Sequence, residues 1–182
     1  MGSGFRHVGE DVVHRGYAIE VVVARYTAPD GHEFTRDVVR HPGAVAVLPL
    51  HDDGTVTVVR QYRAPIDDEL TEIPAGIRDV HGEDLRLTAE RELVEEVGLT
   101  ADHYEHLGEF HVAAGLTDES VHLFLATGLT HVGADTQGPE EEAMTIDRLP
   151  LADLVTMIER GEITDAKTII SVLLVARRRA AG

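Results

Sequence analysis

Cysteine is absent from all 182 residues. Its absence excludes disulfides and thiolate metal sites, so any metal here must be held by oxygen or imidazole. Aromatic residues are also scarce, at 4%, which leaves few rings to stack on a flat ligand. No apolar run approaches the ~20 residues that a membrane span requires. The stretch MGSGFRHVGED lacks an apolar signal core, and Arg6 stands where a myristoylation motif needs Ser or Thr. These absences lead to the expectation of a cytoplasmic protein. Positive charge is sparse too: 16 Lys and Arg stand against 33 Asp and Glu, for a net charge of −17. Such an excess opposes binding to nucleic acid or an anionic membrane, and neither is expected as a partner. A phosphate substrate stays possible, because a divalent cation can stand between carboxylates and phosphates.

What remains is 43% hydrophobic, enough for one compact domain with a core, or a core with a small appendage. Segments 17–27 and 33–40 flank the turn signal Pro29-Asp30-Gly31, so the first 40 residues read as a β-hairpin. A second hairpin is expected from 44–50 and 55–62 around His51-Asp52-Asp53-Gly54, and 69–73 (ELTEI) reads as a short strand. From Asp84 the pattern turns helical: Ala89, Leu93 and Val97 form an i, i+4, i+8 stripe, and Gly98 marks the stop. Strands are expected again over 104–112 and 120–129, and helices over 151–161 and 165–181. No internal repeat or low-complexity tract interrupts them. The order β, β, β, β, α, β, β, α, α predicts an α/β fold, a mixed sheet with helices on its faces.

The helix at 84–97 is the chemically informative element. Glu92, Glu95 and Glu96 lie at i, i+3 and i+4, on one face. Like charges so placed cost a helix ~0.2–0.5 kcal/mol per pair. A divalent cation would turn that repulsion into ligation, since hard cations prefer carboxylate oxygen. Glu83 lies just upstream, within reach of the same patch, and Arg91 is placed to pair with one of the acids and orient it. The alternative is a solvated acidic face, and on chemistry alone the two readings are balanced. Glu90 reads as surface.

This stretch resembles the Nudix box. Glu83, seven residues, then Arg91-Glu92-Leu93-Val94-Glu95-Glu96-Val97-Gly98-Leu99 match that pattern without a gap. One departure is that six residues rather than five separate Gly76 from Glu83, an insertion before the helix that leaves its ligand geometry alone. The resemblance implies a Nudix-type α/β/α sandwich and hydrolysis of a nucleoside diphosphate linked to another group, with Mg²⁺ or Mn²⁺. It assigns metal ligation to Glu83, Glu92, Glu95 and Glu96. The preceding segment EIPAG (72–76) resembles the family's lead-in, whose last carbonyl before Gly points to Ala75 as a further ligand. Gly76 is read as permitting a tight turn into the box.

Segments 40–50, 58–65, 72–76 and 115–129 are most similar to the ADP-ribose pyrophosphatase branch. That implies ADP-ribose as substrate, AMP and ribose 5-phosphate as products, and Arg63 as a phosphate contact. It also implies a homodimer exchanging an N-terminal β-region, residues 1–40, beside a catalytic domain over 41–182; alternatively the hairpin extends its own sheet. A catalytic base is implied on a loop after the last core strand, where Glu141 is the first choice and Glu140 the second, against a merely solvated acidic run. Ala114 and Thr71 stand where the branch carries Pro and an aromatic residue, so other nucleotide sugars and dinucleotides stay open as substrates. A non-catalytic ligand sensor ranks lower, since such chains tend to lose box carboxylates. Arg60 and the scattered histidines read as surface or core, with His111 and His122 on strands near the site.

Overall fold

The computed structural model describes residues 4–133 and 143–181. The chain divides into two compact units, Met1–Gly43 with His111–Ser120, and Ala44–Phe110 with Val121–Gly182. In the first, β1 (Arg6–Arg15), β2 (Glu20–Thr27) and β3 (Glu33–Arg40) form a three-stranded sheet in that order. The hairpin expected from 17–40 is there: Glu20 pairs with Arg40 and Thr27 with Glu33, and Gly31 supplies the turn with φ +86°. Strand β1 adds a third strand to the expected hairpin. Its register against β2 shifts twice, between His7 and Gly9 and between Val12 and His14, so its side chains follow no clean alternation. Segment 111–120 fastens to β3: Val39 N–H donates to Leu116 O at 2.9 Å, and Asp118 accepts from Arg40 Nη1 at 3.0 Å and His41 N–H at 2.9 Å.

The second unit carries β4 (Ala44–Pro49), β5 (Thr55–Arg63), β6 (Asp68–Glu72), β7 (Ala75–Ile77), α1 (Leu85–Val97), β8 (Leu99–His111), β9 (Ser120–His131), β10 (Thr145–Pro150), α2 (Leu151–Glu159) and α3 (Ala166–Ala181). One sheet runs β7-β4-β9-β8, with β4 parallel to β9 and antiparallel to β7. The other runs β10-β5-β6, antiparallel throughout. The second expected hairpin is thus corrected. β4 and β5 turn a corner at His51–Gly54 and enter different sheets, with the Leu50–Val56 bridge and the His51 N–H to Thr55 O bond at the corner. Val45, Ala46, Val47 and Leu48 are all fully buried, and a strand buried on both faces belongs at a sheet centre beside a parallel partner.

Alternate residues of β4 serve two cores. Ala46 and Leu48 pack with Val121, Leu123, Leu154, Val172 and Val175, on the side of α2 and α3. Val45 and Val47 pack with Ala89, Leu93, Val97 and Phe124, on the side of α1. The helical stripe read from the sequence therefore faces the sheet. Asp84 caps α1 by accepting from Arg86 N–H at 2.9 Å, and Gly98 closes it in the left-handed region at φ 64°. With both ends fixed, α1 buries Glu92 and Glu96 beside its apolar stripe and brings them against β7.

Candidate active site

Strand β7 and helix α1 meet over Gly76. An ideal Cβ on residue 76 would fall 1.9 Å from the carboxyl carbon of Glu92, nearer than any real Cβ contact. Gly76 is therefore required for close approach, not for the tight turn expected from the sequence: it lies within β7, and the carboxylate occupies the space a side chain would fill. Glu96, 5% exposed, turns its Oε2 to accept from Ala75 N–H at 3.0 Å. Glu92 is 7% exposed, and burial pushes its carboxyl up to about 7.

Arg91 gathers the acids. Its Nη1 lies 2.8 Å from Glu92 Oε1 and 2.9 Å from Glu95 Oε2, while Nη2 reaches Asp79 Oδ1 at 3.2 Å and Glu83 Oε2 at 3.5 Å. The sequence expected Arg91 to orient one acid; it pairs with four. Ala75, Arg91, Glu92, Glu95 and Glu96 line one cavity of about 230 Å³, together with Gln61, Arg63 and Asp79. Arg63 donates to Glu72 in a fork, Nε to Oε1 and Nη2 to Oε2, both at 2.7 Å. Glu83 is tied in through Arg91 rather than by lining the cavity. Glu140 and Glu141 lie outside the described residues.

Among the described residues, no three Asp, Glu or His side chains already converge as a metal-ligating group. Instead Arg91 sits between Glu92 and Glu95, and Glu96 faces Ala75. The donors nonetheless suit a hard divalent cation: all are oxygens, the cradle over Gly76 admits a carboxylate, and burial leaves Glu92 in want of positive charge. The sequence assigns no role to Asp79, Gln61 or Glu72. Gln61 was findable, since it alternates with Arg63 along β5 and so shares its face. Arg60 is exposed, as read, and His122 is half-buried on β9. His111 ends β8 in the other unit, where a separate hollow of about 450 Å³ includes Tyr26, Arg36, Arg40 and Ala114.

The NUDIX domain pattern matches residues 40–172. The chain belongs to the NUDIX family. It is 40% identical over 171 residues to an ADP-ribose pyrophosphatase of Mycobacterium tuberculosis, covering 94% of this chain and 83% of that one. An ADP-ribose pyrophosphatase of Bacillus subtilis is 35% identical, with 91% and 89% covered. A methanol dehydrogenase activator of Bacillus methanolicus is 36% identical, with 94% covered of each. The crystal structure of an ADP compounds hydrolase superposes with a TM-score of 0.83 over 97% of this chain and 95% of that one, at 20% identity, which supports the same fold. The α/β architecture expected from the sequence is thus that of a NUDIX hydrolase. No helix among the described residues is long and apolar enough to cross a membrane.

Proposed function

We propose that this NUDIX hydrolase cleaves the diphosphate of ADP-ribose to AMP and ribose 5-phosphate, using Mg²⁺ or Mn²⁺. The observation that carries the reading is the cavity in which Glu92, Glu95 and Glu96 meet two arginines, Arg91 and Arg63. The names of the two ADP-ribose pyrophosphatases, together with their coverage, favour this substrate. Glu92, Glu95 and Glu96, with the Ala75 carbonyl, are the ligands we assign, and Glu83 completes the set through its tie to Arg91. When bound, the cation neutralises the diphosphate and makes a water more acidic.

The chain's own groups do the rest. Arg63 spends Nε and Nη2 on Glu72, which fixes the guanidinium plane and leaves the Nη1 amine for a phosphate oxygen. Arg91 holds Glu92 and Glu95 on one guanidinium nitrogen and so orients the carboxylates that would receive the cation. Glu141, or Glu140 beside it, accepts the proton of the attacking water, and Glu95 is the base if neither does. One water is added and one phosphoanhydride P–O bond breaks, giving two phosphomonoesters. We further assign residues 1–40 to an N-terminal region exchanged in a homodimer, 41–182 to the catalytic domain, and the protein to the cytoplasm. Val8, Val12 and Val13 on β1 and a fully exposed Tyr17 give that region an apolar surface suited to a second copy.

A second reading, another nucleotide sugar or a dinucleotide, rests on Thr71 and Ala114, which lack the ring and the Pro of the resembled branch. Incubation with Mg²⁺ or Mn²⁺ against ADP-ribose, nucleotide sugars and dinucleotides, with released phosphomonoesters measured, separates them. Highest kcat/KM on ADP-ribose is expected. Preference for another nucleotide moves the assignment to the second reading, and no hydrolysis of any would leave a ligand sensor.

A further inference from the structure

Lys167 is the only lysine in the chain; the other fifteen basic residues are arginines. It is not on the surface, where a lone lysine would pass unnoticed, but 13% exposed at the start of α3. Its Nζ contacts Glu72 Oε2 and, at 2.9 Å, Asp165 Oδ1. Glu72 is itself 1% exposed and is the carboxylate that Arg63 grips with two donors. Asp165 caps α3 through Thr168 N–H at 2.9 Å and accepts from Thr168 Oγ1 at 2.6 Å; that hydroxyl in turn accepts from Ile73 N–H at 2.8 Å. Two cations and two carboxylates thus close a neutral cluster that joins the end of β5, the end of β6 and the first turn of α3. Its exposed member is Arg63, 39% accessible and facing the cavity.

We infer that Lys167 is a positioning residue for Arg63, acting through Glu72, an inference that rests on the proposed phosphate-binding role of Arg63. A carboxylate buried to this degree stays ionised only with positive charge beside it. Arg63 alone could supply that charge, but it would then be free to follow a mobile partner. Lys167 pins Oε2 from the helix side, so Glu72 is fixed to the scaffold before Arg63 docks on it. The guanidinium is then held by its fork to a fixed carboxylate. Lysine serves better than arginine here because a compact ammonium can meet Glu72 and Asp165 together, whereas a planar fork would favour one of them.

The test uses the full-length protein carrying Lys167→Met, Lys167→Arg, Arg63→Gln and the Lys167→Met/Arg63→Gln pair. With ADP-ribose and Mg²⁺, Lys167→Met should lower kcat/KM roughly 10- to 100-fold, as expected for a small misplacement of a binding group. Its split between KM and kcat should match that of Arg63→Gln, and the double variant should lose little more than Arg63→Gln alone. Lys167→Arg should recover part of the loss. In parallel, without ligand, the Arg63 Nε–H proton should exchange slowly in wild type and Lys167→Arg and faster in Lys167→Met. Additive losses in the double variant, or unchanged Nε–H exchange in Lys167→Met, would overturn the inference. If Lys167→Met does not fold, Lys167→Gln and Lys167→Arg carry the same comparison. Failure of wild type to hydrolyse ADP-ribose sinks the substrate assignment, while the proton-exchange result still decides this one.

Discussion

The carboxylate of Glu92 lies against the Cα of Gly76, in the volume a Cβ would take, 1.9 Å from its ideal position. Gly76→Ala must therefore displace either β7, which pairs with β4, or the Glu92 side chain. Overpacking of this kind costs ~1–3 kcal/mol. The expected outcome is a modest fall in thermal stability with a large fall in Mn²⁺ affinity, read by calorimetric titration. Since the shift must move either Glu92 or the Ala75 carbonyl on β7, unchanged Mn²⁺ affinity would show that the two do not both ligate the cation.

Glu96→Gln separates chemistry from folding. The amide oxygen of Gln can still accept from Ala75 N–H, which Glu96 now does at 3.0 Å, so stability should change little. The negative charge is lost, and with it a ligand. The rate with Mg²⁺ should drop far more than urea stability, and Glu92→Gln should behave alike. A near-normal rate in Glu96→Gln would sink the mechanism.

Arg91 and a divalent cation compete for the same carboxylates. Arg91→Ala leaves Glu83, Glu92 and Glu95 without their countercharge, at a cost of ~1–3 kcal/mol in the metal-free protein. Saturating Mg²⁺ or Mn²⁺ should restore part of it. The rise in Tm on adding cation should then be larger in Arg91→Ala than in wild type, by differential scanning calorimetry. Equal rises would mean that the cation binds elsewhere.

How far the sequence foretold these relationships depends on their spacing along the chain. Helix α1 was legible because Asp84, the Ala89-Leu93-Val97 stripe and Gly98 give start, face and stop within one segment. The glutamates that line the cavity came with it, being fixed by helical periodicity. The β4–β5 corner was misread, since a short loop between two apolar runs carries the same signature as a hairpin. Only the partners of β4, namely β7 and β9, distinguish the two, and those pairings are nonlocal. Strands β7 and β10 were missed because AGI is too short for alternation and TIDRLP too polar. Lys167 and Glu72 stand 95 residues apart, and no local pattern marks such a pair.

The acid limb of stability should report Glu72. Burial works against its ionisation, but Arg63 and Lys167 outweigh it and hold the carboxyl below the ordinary 4.5. A depressed folded-state value contributes stability that is present above the unfolded value and lost as pH falls through the folded one. Glu72→Gln should be less stable than wild type at neutral pH by ~3–5 kcal/mol, the cost of breaking a buried pair. The gap should narrow as pH drops below about 4.5. Urea unfolding of both proteins from pH 7 to pH 3 checks it; a constant gap across that range would refute the assignment.

The last expectation concerns Glu141, which lies outside the described residues and far in sequence from the box. A group that only accepts a proton should matter to the chemical step and not to metal binding. Removal of one positioned general base costs ~10²–10⁴-fold in rate. Glu141→Gln should lower kcat within that range, with KM and Mn²⁺ affinity little changed. Glu142→Gln should have a smaller effect if the segment presents one carboxylate to the reacting water. The reverse order would shift the register by one residue and call for the same comparison at Glu140. If all three single substitutions stay within a few-fold of wild type, these acids are solvated and the base lies in the box. Glu95 is then the first candidate, because it lines the cavity and its pairing with Arg91 at 2.9 Å would be released when a cation takes the neighbouring carboxylates.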